Sequence, residues 1–180
     1  MGCGKSSVGK SLSALLGCPF TDLDAAIVER IGCTIPDYFA RYGETAFRTL
    51  ESDVLSDVLA ASLAGQPSAV LALGGGTVMT PDCAHMIQER TRCIYLRASL
   101  DTLIERLRNE AAGRPMLRTR TPDPGTEPCP TPADADIALR ERISSLLAQR
   151  SATYESVAHH IIDVDGLSVE DVARSILSTI

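Results

Sequence analysis

Apolar residues recur along this chain with two periods that alternate. In the longer segments they lie three or four positions apart, as Val8, Leu12 and Leu15 do, which predicts amphipathic helices. Between these segments lie short apolar runs such as residues 70–73, typical of parallel strands that are buried on both faces. Strands and helices that alternate in this way predict an α/β domain with a mostly parallel sheet.

The pattern places each element within narrow limits. The predicted helices are Lys5–Leu16, Ala25–Ile31, Ile35–Arg41, Glu44–Leu63, Pro81–Glu89, Leu100–Asn109, Ile137–Tyr154 and Ser168–Leu177. The predicted strands are Cys18–Asp22, Ser68–Leu73, Cys93–Leu96 and His160–Val164. Residues 112–135 hold six of the ten prolines and interrupt the pattern. They predict a flexible lid over a site, with a disordered insert as the alternative.

Composition narrows the class of protein. The 180 residues predict one domain over 1–180, with 44% hydrophobic and 22% charged residues. A net charge of −6 argues against nucleic-acid binding, and no signal peptide or membrane span is visible. The six cysteines form no C-x-x-C pair, which indicates reduced thiols. We therefore expect a cytoplasmic protein without membrane or nucleic-acid partners. A monomer is expected as well, although composition does not bear on the oligomeric state.

The chain opens on a glycine-rich stretch that predicts a phosphate-binding loop. Two registers are possible: Gly4 to Ser11 with Lys10 as the phosphate lysine, or Gly2 to Ser7 with Lys5. The helical phase from Lys5 puts Lys10 in the second turn and favours Lys5. The loop's first glycine and the buried strand that normally precedes such a loop would then lie upstream of Met1. We expect that central strand to be missing and its absence to destabilise the fold.

Asp22 and Asp24 follow a predicted strand, where ligands bind in parallel α/β sheets. Strand alternation would aim both carboxylates the same way. One could hold Mg²⁺ and the other could accept a proton from a substrate hydroxyl. The alternative is that Asp24 merely caps the next helix.

Further candidates lie where other strands end and along the helices. Gly74-Gly75-Gly76 follows a buried strand and predicts close backbone contact with a ligand, unless it is an ordinary turn. Arg48 has Glu51 three residues on, which fits either a surface ion pair or a guanidinium held ready for a carboxylate. Arg114 begins the predicted lid, and Arg150 lies near the end of a predicted helix. Both are candidates for the site, and the alternative is that each is a solvated surface arginine.

The order and spacing of these motifs resemble the shikimate kinase family. The matching residues are Gly2-Cys3-Gly4-Lys5-Ser6-Ser7, Asp22-Leu23-Asp24, Phe47-Arg48 with Glu51, Gly74-Gly75-Gly76, Arg114-Pro115-Met116-Leu117, and Arg150 with Tyr154. The resemblance implies a nucleoside-monophosphate-kinase-like sandwich around a five-stranded parallel sheet. It also implies that ATP phosphate is transferred to the 3-hydroxyl of shikimate with Mg²⁺.

The resemblance also implies a role for each site residue. ATP would be bound by Gly2, Cys3, Gly4, Lys5, Ser6, Ser7, Arg106 and Arg114, and Mg²⁺ by Ser6 and Asp22. Shikimate would be bound by Asp24, Arg48, Gly74, Gly75, Gly76 and Arg150. Lys5, Asp24 and Arg114 would be catalytic, with Asp24 as the base.

Two other functions are weighed beside this one. A kinase of another small hydroxy acid such as gluconate would use the same phosphate loop, but the two arginines and the triple glycine argue against it. A non-catalytic binding or regulatory protein is favoured only by the apparent loss of the first strand. The segment after Leu117 is also longer than is usual in the family.

Overall fold

Helices and short strands alternate along the chain as the sequence predicts. The computed structural model describes residues 2–63, 69–112 and 132–180. The helices are α1 (Lys5–Leu16), α2 (Leu23–Ile31), α3 (Ile35–Leu63), α4 (Pro81–Arg90), α5 (Leu100–Ala112), α6 (Pro132–Val157) and α7 (Val169–Thr179). The strands are β1 (Phe20–Asp22), β2 (Val70–Ala72), β3 (Ile94–Arg97) and β4 (His160–Asp163).

The boundaries depart from the prediction in a few places. The two helices predicted on either side of Gly43 are both present within α3 and meet at a kink, where Gly43 (φ 79°) leaves the helical backbone. A short 3-10 helix, Thr77–Met79, follows the triple glycine and was not predicted. The helix α6 begins at Pro132, so the predicted lid of residues 112–135 overlaps it. The remainder of that lid, residues 113–131, lies outside the described residues.

Parallel pairing brings the carboxyl ends of strands together. Strand β1 pairs with β2 from Phe20 opposite Val70 to Asp22 opposite Ala72. Strand β3 pairs with β4, with Arg97 opposite Asp163. Within the described residues these are two separate two-stranded sheets, so a five-stranded sheet is not confirmed. The first pair sets Asp22 and the triple glycine at the same sheet edge.

The core divides into two clusters of buried apolar side chains. One joins α1 to the β3–β4 pair and to α5, α6 and α7, with Val8, Leu96 and Val172 among its members. The other joins α2, α3 and α4, with Leu23 and Leu55 fully buried. Along β2, Val70 packs on the first cluster and its neighbour Leu71 on the second, because successive strand residues face opposite sides.

The cysteines in the described part of the chain form no disulfide bonds. Cys3, Cys18, Cys33, Cys83 and Cys93 are all free, and Cys129 lies outside the described residues. In the same ranges there is no group of three or more His, Cys, Asp or Glu side chains that could hold a metal ion between them. None of the helices described is long and apolar enough to cross a membrane.

Candidate active site

The glycine-rich stretch turns directly into α1. Gly2 (φ 73°) and Gly4 (φ 87°) both adopt left-handed backbone, which glycine enters without steric cost. Gly4 caps α1 without any side chain, so no side chain of the cap occupies the N–H groups of the first turn. The helix begins at Lys5, as predicted. An exposed helix N-terminus behind a glycine turn can bind an anion such as phosphate.

The register from Gly4 to Ser11, with Lys10 as the phosphate lysine, does not fit the structure. Gly9 is buried within α1 and packs against the ring of Phe20, where a Cβ would lie 2.5 Å from a ring carbon. The ammonium of Lys10 lies 6.0 Å from the centre of the same ring. Gly9 therefore provides space between helix and strand, and Lys10 lies away from the turn formed by Gly2 and Gly4.

Asp22 and Asp24 do not lie on one strand, contrary to the prediction. Asp22 ends β1 and caps α2: its Oδ1 accepts hydrogen bonds from the backbone N–H of Asp24 at 3.1 Å and of Ala25 at 3.4 Å. Asp24 lies in the first turn of α2, so the alternative in which Asp24 is the cap is also wrong. The difference arises because an Asp before a helix binds the N–H groups two and three positions on.

The second oxygen of Asp22 faces the phosphate loop. The Ser6 hydroxyl donates to Asp22 Oδ2 at 2.6 Å, which joins the start of α1 to the end of β1. The pair presents a hydroxyl and a carboxylate beside the helix N-terminus. Oxygen ligands of this kind suit Mg²⁺, which is held by one or two protein groups together with phosphate oxygens. The residues present therefore fit a magnesium ion bound with a nucleotide.

The Asp24 carboxyl lies against the triple glycine. A Cβ at Gly74 would lie 2.7 Å from Asp24 Oδ1, so only glycine leaves room for the carboxylate there. Although Asp24 keeps contact with solvent, partial burial raises the pKa of its carboxyl, and the charges of Asp22 and Glu51 raise it further. The Lys5 ammonium acts in the opposite direction. A carboxylate with a raised pKa is better suited to accept a proton.

The Arg48 guanidinium lies between two carboxylates and the backbone of the triple glycine. It donates to Glu51 Oε2 at 2.7 Å and to Glu44 Oε1 at 3.3 Å. Desolvation lowers the pKa of Arg48, but the hydrogen bonds to Glu51 and Glu44 outweigh it and the pKa is raised, so the group stays charged. A Cβ at Gly76 would lie 2.9 Å from both terminal nitrogens of Arg48. The surface ion pair is thus the wrong alternative, since Glu51 is only 1% exposed.

Two side chains of α6 reach the triple glycine from the other side. The Gly75 carbonyl accepts hydrogen bonds from the Tyr154 hydroxyl at 2.5 Å and from an Arg150 nitrogen at 3.3 Å. Arg150 is half-buried rather than a solvated surface arginine. The structure thus brings Arg48 and Arg150 to the same loop from different helices.

These groups surround one small cavity of about 200 Å³. It is lined by Asp24, Ile35, Phe39, Phe47, Arg48, Glu51, Gly74, Gly75, Gly76 and Arg150. A larger and more open hollow of about 460 Å³ between α5 and α6 holds none of the predicted site residues, so we place the site in the smaller cavity. A cavity with apolar walls and a few convergent charges is typical of a site for a small polar ligand.

Arg106, predicted to bind ATP, is not among the residues that line this cavity. Arg106 donates to the Cys3 carbonyl at 3.0 Å and to the Val164 carbonyl at 3.3 Å, which links the phosphate loop to the end of β4. Arg114 lies outside the described residues, so its position relative to the cavity stays a prediction.

Thr77 was missed by the sequence reasoning. It is fully buried and its hydroxyl donates to Glu51 Oε1 at 2.7 Å. Its position directly after three glycines is a signal in the sequence, but a lone threonine at a turn is common and carries no chemistry by itself.

The class of protein follows from this geometry together with comparison to known proteins. A phosphate loop at a helix N-terminus beside a parallel strand pair, close to a small cavity lined by two arginines and two carboxylates, is typical of a P-loop kinase of small molecules. A family model described as shikimate kinase matches residues 1–180. The chain belongs to the shikimate kinase family.

Individual relatives agree with the family match. The chain is 38% identical to a shikimate kinase of Geobacter sulfurreducens over 176 residues, which cover 98% of this chain and 84% of the relative. It is 33% identical to a shikimate kinase of Enterococcus faecalis over 178 residues, which cover 98% of this chain and 92% of the relative.

Solved structures give the same α/β fold. The shikimate kinase from Acinetobacter baumannii in complex with shikimate matches with a TM-score of 0.75 and 28% identity over 99% of this chain and 87% of that chain. The shikimate kinase from Bacteroides thetaiotaomicron matches with a TM-score of 0.75 and 26% identity over 99% of this chain and 93% of that chain.

Proposed function

We propose that this protein transfers the γ-phosphoryl group of ATP to the 3-hydroxyl of shikimate. The observation that carries the proposal is the convergence of Asp24, Arg48, Arg150 and the triple glycine on one cavity. The Ser6–Asp22 hydrogen bond joins the phosphate loop to the same sheet edge. The shikimate kinase from Acinetobacter baumannii, solved in complex with shikimate, shares this fold.

On the nucleotide side, the loop from Gly2 to Ser7 binds the phosphates through its backbone and the N-terminus of α1. Lys5 would reach the β- and γ-phosphates, and Ser6 and Asp22 are the residues that would hold Mg²⁺. The metal, when bound, neutralises charge on the phosphate oxygens. Arg106 would lie near the adenine, and Arg114, which is outside the described residues, would stabilise charge on the transferring group.

On the acceptor side, Arg48 and Arg150 bind the carboxylate of shikimate. A guanidinium is suited to this because its planar fork can make two parallel hydrogen bonds to a carboxylate. Asp24 accepts the proton of the attacking hydroxyl, and the triple glycine lets the ring hydroxyls approach the backbone. Catalysis is therefore mainly positioning and charge neutralisation.

The cofactor and partners follow from this reaction. The enzyme needs Mg²⁺ and binds ATP and shikimate. A monomeric state, a cytoplasmic location and the lack of nucleic-acid partners stay predictions.

The proposal is tested by measuring ADP release in a coupled assay with shikimate or gluconate as acceptor. We expect turnover with shikimate, loss of turnover in Lys5→Ala, and most of it retained in Lys10→Ala. The two lysines lie on the same helix five residues apart, so Lys10→Ala is a matched control for the loss of one positive charge.

Each contrary result has a distinct meaning. Turnover with gluconate alone would assign the site to another hydroxy acid, and binding of ATP without turnover on either acceptor would indicate a non-catalytic protein. If Lys10→Ala were the inactive variant, the phosphate loop would have to be placed in its other register.

A further inference from the structure

At the wall of the cavity, the buried carboxylate of Glu51 pairs with a buried hydroxyl, that of Thr77. Thr77 is 0% exposed and Glu51 is 1% exposed. Each oxygen of Glu51 accepts one hydrogen bond: Oε1 from the Thr77 hydroxyl and Oε2 from the Arg48 guanidinium, both at 2.7 Å. A carboxylate so far from water depends on such donors, because water does not replace a lost partner there.

The contacts close into a ring. Arg48 is held by Glu51 on one side and lies against Gly76 on the other, where even a Cβ would be 2.9 Å away. Gly76 is bonded covalently to Thr77, which returns to Glu51. The ring therefore fixes the distance between α3, which carries Arg48, and the end of the triple glycine.

Rotation of Glu51 is the weak point of this ring. Its side chain has three rotatable bonds, and the bond from Arg48 alone restrains only one of the two oxygens. The Thr77 hydroxyl restrains the other oxygen and so sets the plane of the carboxylate. The plane of the carboxylate in turn sets the direction in which the Arg48 guanidinium points.

We propose that Thr77 is a positioning residue that orients Arg48 through Glu51 and thereby sets the affinity for the carboxylate of the acceptor. The inference rests on the proposed function, because it assumes that Arg48 binds that carboxylate. It assigns no chemistry to Thr77 itself, which contacts Glu51 from within the core.

The test compares Thr77→Val, which keeps the shape but removes the hydroxyl, with Thr77→Ser, which keeps the hydroxyl. In the coupled ADP assay we expect Thr77→Val to raise KM for shikimate about tenfold, with KM for ATP changed by less than about twofold. Thr77→Ser is expected to stay within about threefold of the wild type. A merely structural role would instead lower the active fraction and hence kcat, leaving both KM values unchanged.

A double-mutant cycle shows whether the effect passes through Arg48. In an Arg48→Lys background, Thr77→Val is expected to change KM for shikimate by less than about twofold, since residues that act through one another are not additive. Full additivity, or an unchanged KM in the single variant, would overturn the proposal.

Folding is checked by thermal melting, and Thr77→Ala replaces Thr77→Val if the valine methyl is not tolerated. If neither variant folds while Thr77→Ser is fully active, the hydroxyl is needed for the fold as a whole and the proposal is wrong. Failure of the proposed function would look different, because the wild type itself would then not turn over shikimate.

Discussion

Asp24 and Glu51 are neighbouring carboxylates whose surroundings give them different tasks. Glu51 is buried and both of its oxygens accept hydrogen bonds, from Arg48 and Thr77, so it is fixed in place. Asp24 faces the cavity, where partial burial and then the negative charges of Asp22 and Glu51 raise the pKa of its carboxyl. Glu51 thus orients another side chain, whereas Asp24 suits proton transfer.

Replacement of Asp24 by Asn should stabilise the protein while it removes activity. The pKa of Asp24 is raised above its ordinary value of 3.8, so the folded state binds more protons than the unfolded state just above that pH. The wild type therefore loses stability as pH rises through this range, and Asp24→Asn does not. We expect a higher Tm for the variant at pH 7, no difference near pH 3, and a loss of turnover of about 100-fold or more.

The matched control is Asp53→Asn, which removes the same charge from the exposed face of α3. It should leave turnover unchanged. A lower Tm at pH 7 for Asp24→Asn than for the wild type would contradict the argument that ionised Asp24 is costly in the folded state. Retained turnover would show that Asp24 is not the base.

At the scale of elements, the close approach of α1 to β1 aims the phosphate loop. Gly9 faces Phe20 with no space for a side chain, as an added Cβ would lie 2.5 Å from the ring. The Ser6–Asp22 hydrogen bond lies one helical turn away from this contact. Helix and strand are therefore held together both by packing and by a polar contact that belongs to the proposed magnesium site.

We predict that Gly9→Ala destabilises the protein by about 1–3 kcal/mol, the cost typical of overpacking in a core. The sign is informative because Gly to Ala inside a helix otherwise gains up to about 1 kcal/mol. Unfolding in urea measures the change. The double variant with Phe20→Leu should recover part of the loss, and a more stable Gly9→Ala protein would rule out the contact.

The sequence predicts the elements better than it predicts what joins them. The start of α1 at Lys5 follows from the spacing of Val8 and Leu12, because a buried helix face is a local pattern. The cap at Asp22 was missed because the alternation of strand side chains was extended to Asp24. The strand β1 in fact ends at Asp22, and α2 begins at the next residue. The role of Thr77 depends on Glu51, 26 positions earlier, and no local pattern reveals a contact over that distance.

For the whole molecule, the two halves of the proposed site rest on different parts of the core. The phosphate loop continues into α1, whose Val8 and Leu12 belong to the cluster shared with α7. Asp24 and Arg48 extend from α2 and α3, which pack in the other cluster through Leu23 and Phe47. A nucleotide and an acceptor bound together would therefore link the two clusters.

This arrangement predicts that each ligand, added without the other, raises the free energy of unfolding of the whole chain. A ligand at about 100 times its Kd adds about 2.7 kcal/mol, and each kcal/mol raises Tm by about 2–4 °C in a protein of this size. Shikimate and Mg²⁺–ATP should thus each raise Tm by about 5–11 °C. Arg48→Lys, measured at the wild-type ligand concentrations, should lose most of the shift with shikimate and keep that with ATP, because an ammonium cannot replace a planar guanidinium on a carboxylate. Equal losses with both ligands would remove Arg48 from the carboxylate site.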